Sequence, residues 1–249
     1  MSRLIKVLIV FGVLLNAGQL QAQSVPSWVV PAALRFISNP DDFFFNLHLD
    51  NVDYAPTPAE NRGELKTNLA PTFLPLTWAN AALKIKLLNE GSFMRWVPQV
   101  DLAGSYGRIV LLDILSSVVD DEDFTAPTMK DYSIGVTLTK NVTRETRLFA
   151  GYHHSVFNMD LKFPDPIEIT SDNTLDSLNI LRKDNIMVTG ITNRIAPEKS
   201  LTAYLGYGFN YKKVFSRFVW NHRRLQMGFN IYPEGLLVIH PFIGMHWGL

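Results

Sequence analysis

The sequence predicts an all-β fold, an antiparallel up-and-down β-barrel of about ten strands (roughly 8–12) that crosses a membrane through its strands. Three observations lead there. Hydrophobic residues make up 47% of the 249-residue chain and charged residues only 18%, with 23 basic against 23 acidic side chains. That balance excludes a disordered tail and a basic nucleic-acid-binding domain. The apolar residues nevertheless form no stretch of about 20 that would make a membrane helix. From Phe43 onward they recur at every second position instead, in segments of about ten residues separated by turn chemistry.

Residues 1–22 have the form of a signal peptide. Arg3 and Lys6 give a basic start, Val7–Leu15 an apolar core, and Gln19 to Ala22 a small-residue cleavage site. The chain lacks cysteine, so an exported form must be held by its core or by lipid rather than by disulfides, which favours a bacterial envelope protein. Residues 23–42, with Pro26, Pro31 and Pro40, read as a periplasmic lead-in. Residues 43–249 are then the barrel domain.

Within it the proposed strands are, in order, Phe43–Asp50, Leu65–Leu74, Ala81–Leu87, Met94–Ser105, Tyr132–Lys140, Thr146–Asp160, Asp184–Ile195, Leu201–Lys212, Arg223–Ile231 and the final run from Leu237. The clearest is Leu201–Lys212, where Leu201, Ala203, Leu205 and Tyr207 oppose Thr202, Tyr204, Gly206 and Gly208. Tight turns fall at 89–92, 141–145, 196–200 and 232–235, and longer connections at 54–63, 109–130 and 162–183. Pro71, Pro98 and Pro241 lie inside proposed strands, where each forfeits a ladder hydrogen bond. Counting back from Leu249 also sets the long 162–183 connection on the same side as the chain end, the reverse of the usual loop asymmetry.

Period two alone fits a soluble barrel or sandwich as well as a membrane barrel. The polar face decides between them, because Gly135, Gly206, Gly208, Gly228, Gly244 and Gly248 all oppose large apolar residues. Glycine weakens a water-facing strand, whereas a narrow barrel interior needs small residues beside long ones. Trp96, Tyr132, Tyr211 and Trp247 near strand ends suit interfacial girdles.

The chain ends Gly244-Met245-His246-Trp247-Gly248-Leu249. This hexapeptide resembles the C-terminal signal of bacterial outer-membrane β-barrel proteins, with Gly244, Trp247 and Leu249 in the signal positions. The resemblance implies a Gram-negative outer-membrane location, contact with outer-membrane lipid, recognition by the barrel assembly machinery and a last strand that closes the barrel. It identifies a class and no specific family, and leaves the oligomeric state open.

The expected lumen-facing set includes Lys84, Lys86, Arg95, Asp101, Lys212, Arg224, His240 and His246. Basic residues outnumber acids there, which fits either a narrow porin-like path for anions or a network of paired charges holding the barrel shut. The role expected is therefore structural or narrow-channel. His153 and Ser155 share a strand face, which would let the imidazole serve as general base to the hydroxyl. This His-x-Ser pair resembles that of outer-membrane lipid A deacylases, although Val156-Phe157-Asn158 does not continue their pattern. A lipid hydrolase is thus one alternative, and a soluble periplasmic lipocalin-like binder is another. Neither the histidines nor the acidic run Asp120–Asp123 has a ligand spacing that predicts a metal, and no cofactor is expected.

Overall fold

The computed structural model describes residues 54–73, 76–109, 128–170, 173–233 and 238–249. The proposed signal peptide and lead-in, the strand Phe43–Asp50 and the acidic run Asp120–Asp123 lie outside the described residues. Among those residues the chain forms β1 (Gly63–Phe73), β2 (Leu76–Leu88), β3 (Gln99–Ile109), β4 (Thr128–Asn141) and β5 (Thr146–Thr170). It continues with β6 (Asn173–Ala196), β7 (Lys199–Gly208), β8 (Lys213–His222), β9 (Leu225–Ile231) and β10 (Ile239–Gly248). Each pairs antiparallel with its sequence neighbours, and β1 pairs with β10, so the sheet is a closed barrel without a free edge.

Paired residues traced from Asn68 through Asn80, Gly107, Asp131 and Phe157 reach β6 at Arg182. Traced the other way, through Gly244, Gln226, Asn221 and Ser200, they reach β6 at Arg194, twelve residues further along. A stagger of that size on ten strands requires them to tilt by about 40° from the barrel axis.

The strand count agrees with the sequence expectation, but one member differs. β8 was not among the proposed strands. With it in place, both chain ends of the barrel and the short connections at 142–145, 197–198 and 223–224 share one end, where Arg62 N donates to the Leu249 carbonyl at 2.9 Å. The strand ends Ile109 and Thr128, which the long 110–127 connection joins, and the β5–β6 hairpin lie at the other, which restores the usual loop asymmetry. The segment read as a 162–183 connection is itself mostly strand. β5 and β6 go on pairing with each other past Asp160, the last β5 residue paired with β4, with register shifts between Lys162 and Ile167.

The prolines sit where the ladder tolerates them. Pro71 is at a register shift between β1 and β2. Pro98 precedes β3, and Pro241 lies beyond Ile243, the last β10 residue paired with β1, so β10 there has β9 as its ladder partner.

Burial along β4 alternates strictly until its final residues, and the alternation is inside out relative to a soluble barrel. Large apolar side chains point away from the axis, with Ile134 58% and Leu205 57% exposed, while Lys84 is 1% and Asp101 0% exposed. Leu83, Ile85, Leu138, Leu148, Leu201, Ile243 and Met245 extend the apolar exterior. Such a continuous outer belt is far beyond the patches that water-soluble monomers carry. A lipocalin-like barrel would line its pocket with the apolar face; here that face is outside.

The glycines of the polar face make room for rings. Gly135 faces His153, Gly190 faces Tyr204, Gly206 faces Phe215 and Gly228 faces Phe242, each as a directly opposed cross-strand pair. A methyl group on Gly206 would lie 2.2 Å from the Phe215 ring, and one on Gly190 would lie 2.4 Å from Tyr204 Cβ. Gly206→Val should therefore lower stability by about 1–3 kcal/mol through overpacking. The check is the temperature at which the compact folded band converts to the unfolded one on a gel. Shortening the opposing ring with Phe215→Ala should recover part of the loss, and equal, additive losses would refute the ring-over-glycine account.

Candidate functional site

The residues that fill the lumen include a piece of chain that is not a strand. Pro56 and Pro58 deny the stretch before β1 two ladder donors, and the chain is buried inside the barrel from Tyr54 to Thr57, then emerges through a half-buried Pro58 to an exposed Ala59. Its carbonyls become acceptors for the wall. Lys84 donates to the Ala55 carbonyl. Gln99 Nε2 and Arg147 donate to the Thr57 carbonyl at 3.0 and 2.9 Å. Lys86 Nζ reaches the carbonyls of Pro58 and Ala59 at 3.1 and 2.7 Å. In return Thr57 N donates to Asp101 Oδ2 at 3.3 Å.

Around these contacts the wall charges are knitted together. Gln99 Nε2 lies 3.0 and 2.8 Å from the two Asp101 oxygens, and Arg147 donates to Gln99 Oε1 at 2.6 Å. Glu64, almost fully buried on β1, meets Lys66 at 3.4 Å, Lys84 at 3.9 Å and His246 Nδ1 at 3.1 Å. Buried charges in so narrow a space require partners. The wall's own acids supply some of them, and the inserted backbone supplies the rest.

Further from this end the lumen turns aromatic. Tyr54 is fully buried against Phe149, Ile186, Val188, Tyr204, Phe215 and Tyr232. Its ring meets His153 edge-on at 4.7 Å and Tyr204 at 5.6 Å between centroids. Arg217, 1% exposed, stacks over the Phe242 ring at 4.0 Å, a contact strengthened by desolvation. The inserted segment is thus held by charged donors along its backbone and by an aromatic socket at Tyr54.

His153 and Ser155 both face the lumen and are buried. The Ser155 hydroxyl donates to Asp131 Oδ1 at 3.3 Å and lies 3.4 Å from the Tyr132 carbonyl. His153 Nε2 is 3.5 Å from Thr137 Oγ1. The serine thus sits on the opposite side of the wall from the apolar outer surface, with a carboxylate rather than the imidazole as its hydrogen-bond partner.

Of the residues expected in the lumen, Lys84, Asp101 and His240 are fully buried there, Lys86 holds the inserted segment and His246 holds Glu64. Arg95, Lys212 and Arg224 are placed differently. Arg95 is exposed in the 89–98 connection, because β3 begins only at Gln99, after Pro98. Lys212, with φ of 57°, and Arg224 occupy the turns on either side of β8. Reading the alternation through those turns carried them inward. Gly244, Trp247 and Leu249 lie on and just after β10, whose pairing with β1 closes the barrel. Tyr54–Ala59, Glu64, Lys66, Asp131 and Arg147 were missed. The available signal was the paired prolines beside an excess of inward cations over inward acids, which calls for uncharged acceptors.

Among the described residues no group of His, Cys, Asp and Glu could hold a metal ion. No family model matches the chain, and no curated protein matches its sequence. Among solved structures the chain is similar to the N-terminal β-barrel domain of Pseudomonas aeruginosa OprF, with 10% identity, 74% of this chain and 96% of that one covered, and a TM-score of 0.35. Neisserial surface protein A follows with 10% identity, coverage of 75% and 94%, and a TM-score of 0.28. The outer membrane phospholipase A of Escherichia coli matches with 8% identity, coverage of 76% and 92%, and a TM-score of 0.32. These are likenesses of general form that assign no activity: the chain resembles bacterial outer-membrane β-barrels as a class.

Proposed function

We propose that the chain is an exported outer-membrane barrel of the Gram-negative type whose job is structural, a membrane-anchored wall sealed by its own N-terminal segment, and not an open porin-like pore. The observation that carries this reading is the use of the lumen cations. Lys84, Lys86 and Arg147, which would line an anion path, are engaged by the carbonyls of Ala55, Thr57, Pro58 and Ala59. The outward apolar belt supports membrane insertion, and the signal-peptide pattern supports export. A β10 that carries Gly244 and Trp247 and is followed by an exposed Leu249 is consistent with recognition by the barrel assembly machinery.

In planar bilayers the wild-type protein should show no steady conductance. Arg147→Ala combined with Lys86→Ala, which removes three hydrogen bonds to the segment, should introduce intermittent openings. A large steady current from the wild type would overturn the sealed-wall reading and restore the narrow channel. Membrane insertion has a separate test. Leu205→Arg, on the exterior, should destabilise the lipid-embedded barrel by up to about 2–4 kcal/mol if that position lies near the bilayer midplane. In a water-facing position the same change would be close to neutral, so an unchanged unfolding midpoint in lipid vesicles would count against the lipid-facing belt.

A further inference from the structure

The inserted segment is held by side chains of β2, β3 and β5, and the wall that runs on from β2 through β1 to β8 has a different character. A single row of opposed residues crosses β2, β1, β10, β9 and β8 as Asn80, Asn68, Gly244, Gln226 and Asn221. Every side chain in it is an uncharged amide except Gly244, which leaves a notch. Asn68 leans over that notch, since a methyl group on Gly244 would fall 2.2 Å from Asn68 Oδ1.

Asn68 is 3% and Gln226 0% exposed, yet both the oxygen and the nitrogen of each amide lack a hydrogen-bond partner in the protein. Asn221 gives its Nδ2 to Ser200 at 3.2 Å and keeps a buried, unpartnered Oδ1. Two residues along β10 from the notch, His246 is bound through Nδ1 to Glu64 and leaves a buried Nε2 without a partner. Six polar atoms of four side chains therefore line one stretch of wall without protein partners. Each costs the desolvation of an unmade hydrogen bond unless something else satisfies it.

The composition of the row selects the partner. Amides offer donors and acceptors side by side, as hydroxyl groups do. The adjacent Lys66 and His246 are both already engaged by Glu64 in the wall. A carboxylate or phosphate would satisfy only the donors and leave the amide oxygens opposed. We propose that the amide-lined notch at Gly244 binds the hydroxyl groups of a neutral ligand, either ordered water or a small polyol.

The test uses the full chain folded in detergent micelles, with glycerol as the polyol probe. Magnetisation transfer between water and the side-chain amide protons of Asn68 and Gln226 reads the water arm. The glycerol-induced rise in unfolding temperature, compared between wild type and Asn68→Leu/Gln226→Leu, reads the polyol arm, since a general cosolvent effect raises both equally. If the Leu pair does not fold, Gln226→Met replaces it. Water contact at both amides with equal glycerol shifts assigns the notch to water. A larger glycerol shift in the wild type assigns it to a polyol. Amides that contact neither, or a wild-type stabilisation that appears only with added chloride, overturn the proposal.

Discussion

The ammonium of Lys84 is the joint on which the interior depends. It lies on β2, fully buried, between the Glu64 carboxylate of β1 and the Ala55 carbonyl of the inserted segment. Removing it would take one of three basic side chains from the buried Glu64 carboxylate and the lysine donor from the Ala55 carbonyl, and a lost partner in a buried pair costs more than the pair contributes when intact. The rest of the lumen follows the same rule. Asp101 satisfies Thr57 N, Gln99 ties Asp101 to the segment, and Arg147 ties Gln99 to it as well. The network has one internal logic: a ring of ten strands encloses too little water to solvate charges, so the charges must be solvated by protein.

Two kinds of filling divide the lumen. At the end that holds both chain termini of the barrel, amides, lysines and carboxylates surround the inserted backbone. Deeper in, rings seated on glycines take over, with Tyr54 joining Tyr204 and Phe215. The segment spans this boundary, so its extended backbone meets donors while its first described side chain meets rings. Neither contact set alone would fix its position along the axis.

Much of the fold was legible because an apolar exterior and a crowded polar lumen force an alternation that sequence cannot hide. It showed in Ile134 and Val136 against Ser133 and Gly135, and in Leu205 against Tyr204 and Gly206. β8 escaped because its two faces are alike in hydrophobicity. Val214 and Phe218 face outward while Phe215 and Val219 face in, the lumen there being aromatic rather than polar. Omitting β8 reversed the sidedness of every earlier connection. The projecting part of β5 and β6 was hidden by Pro164 and Pro166, which read as loop. The lumen site was half legible. Inward Lys84, Asp101 and His240 follow from parity, but that Lys86 and Arg147 bind main-chain carbonyls depends on a distant stretch folding back inside, which no local pattern encodes. The turn residues Arg95, Lys212 and Arg224 show the opposite error, parity extended past the end of a strand.

The pairing of β1 with β10 also has a topological consequence. While the sheet is open, residues 54–59 can be laid against β2 and β3 from the side, as any strap is laid on a surface. Once Leu65 opposes Trp247 and the ring is complete, no sideways path remains. The segment can then leave only by sliding along the barrel axis, with Tyr54 drawn out of the rings that hold it and every carbonyl bond broken together. Closure of the wall thus turns a set of individually modest hydrogen bonds into a mechanical latch.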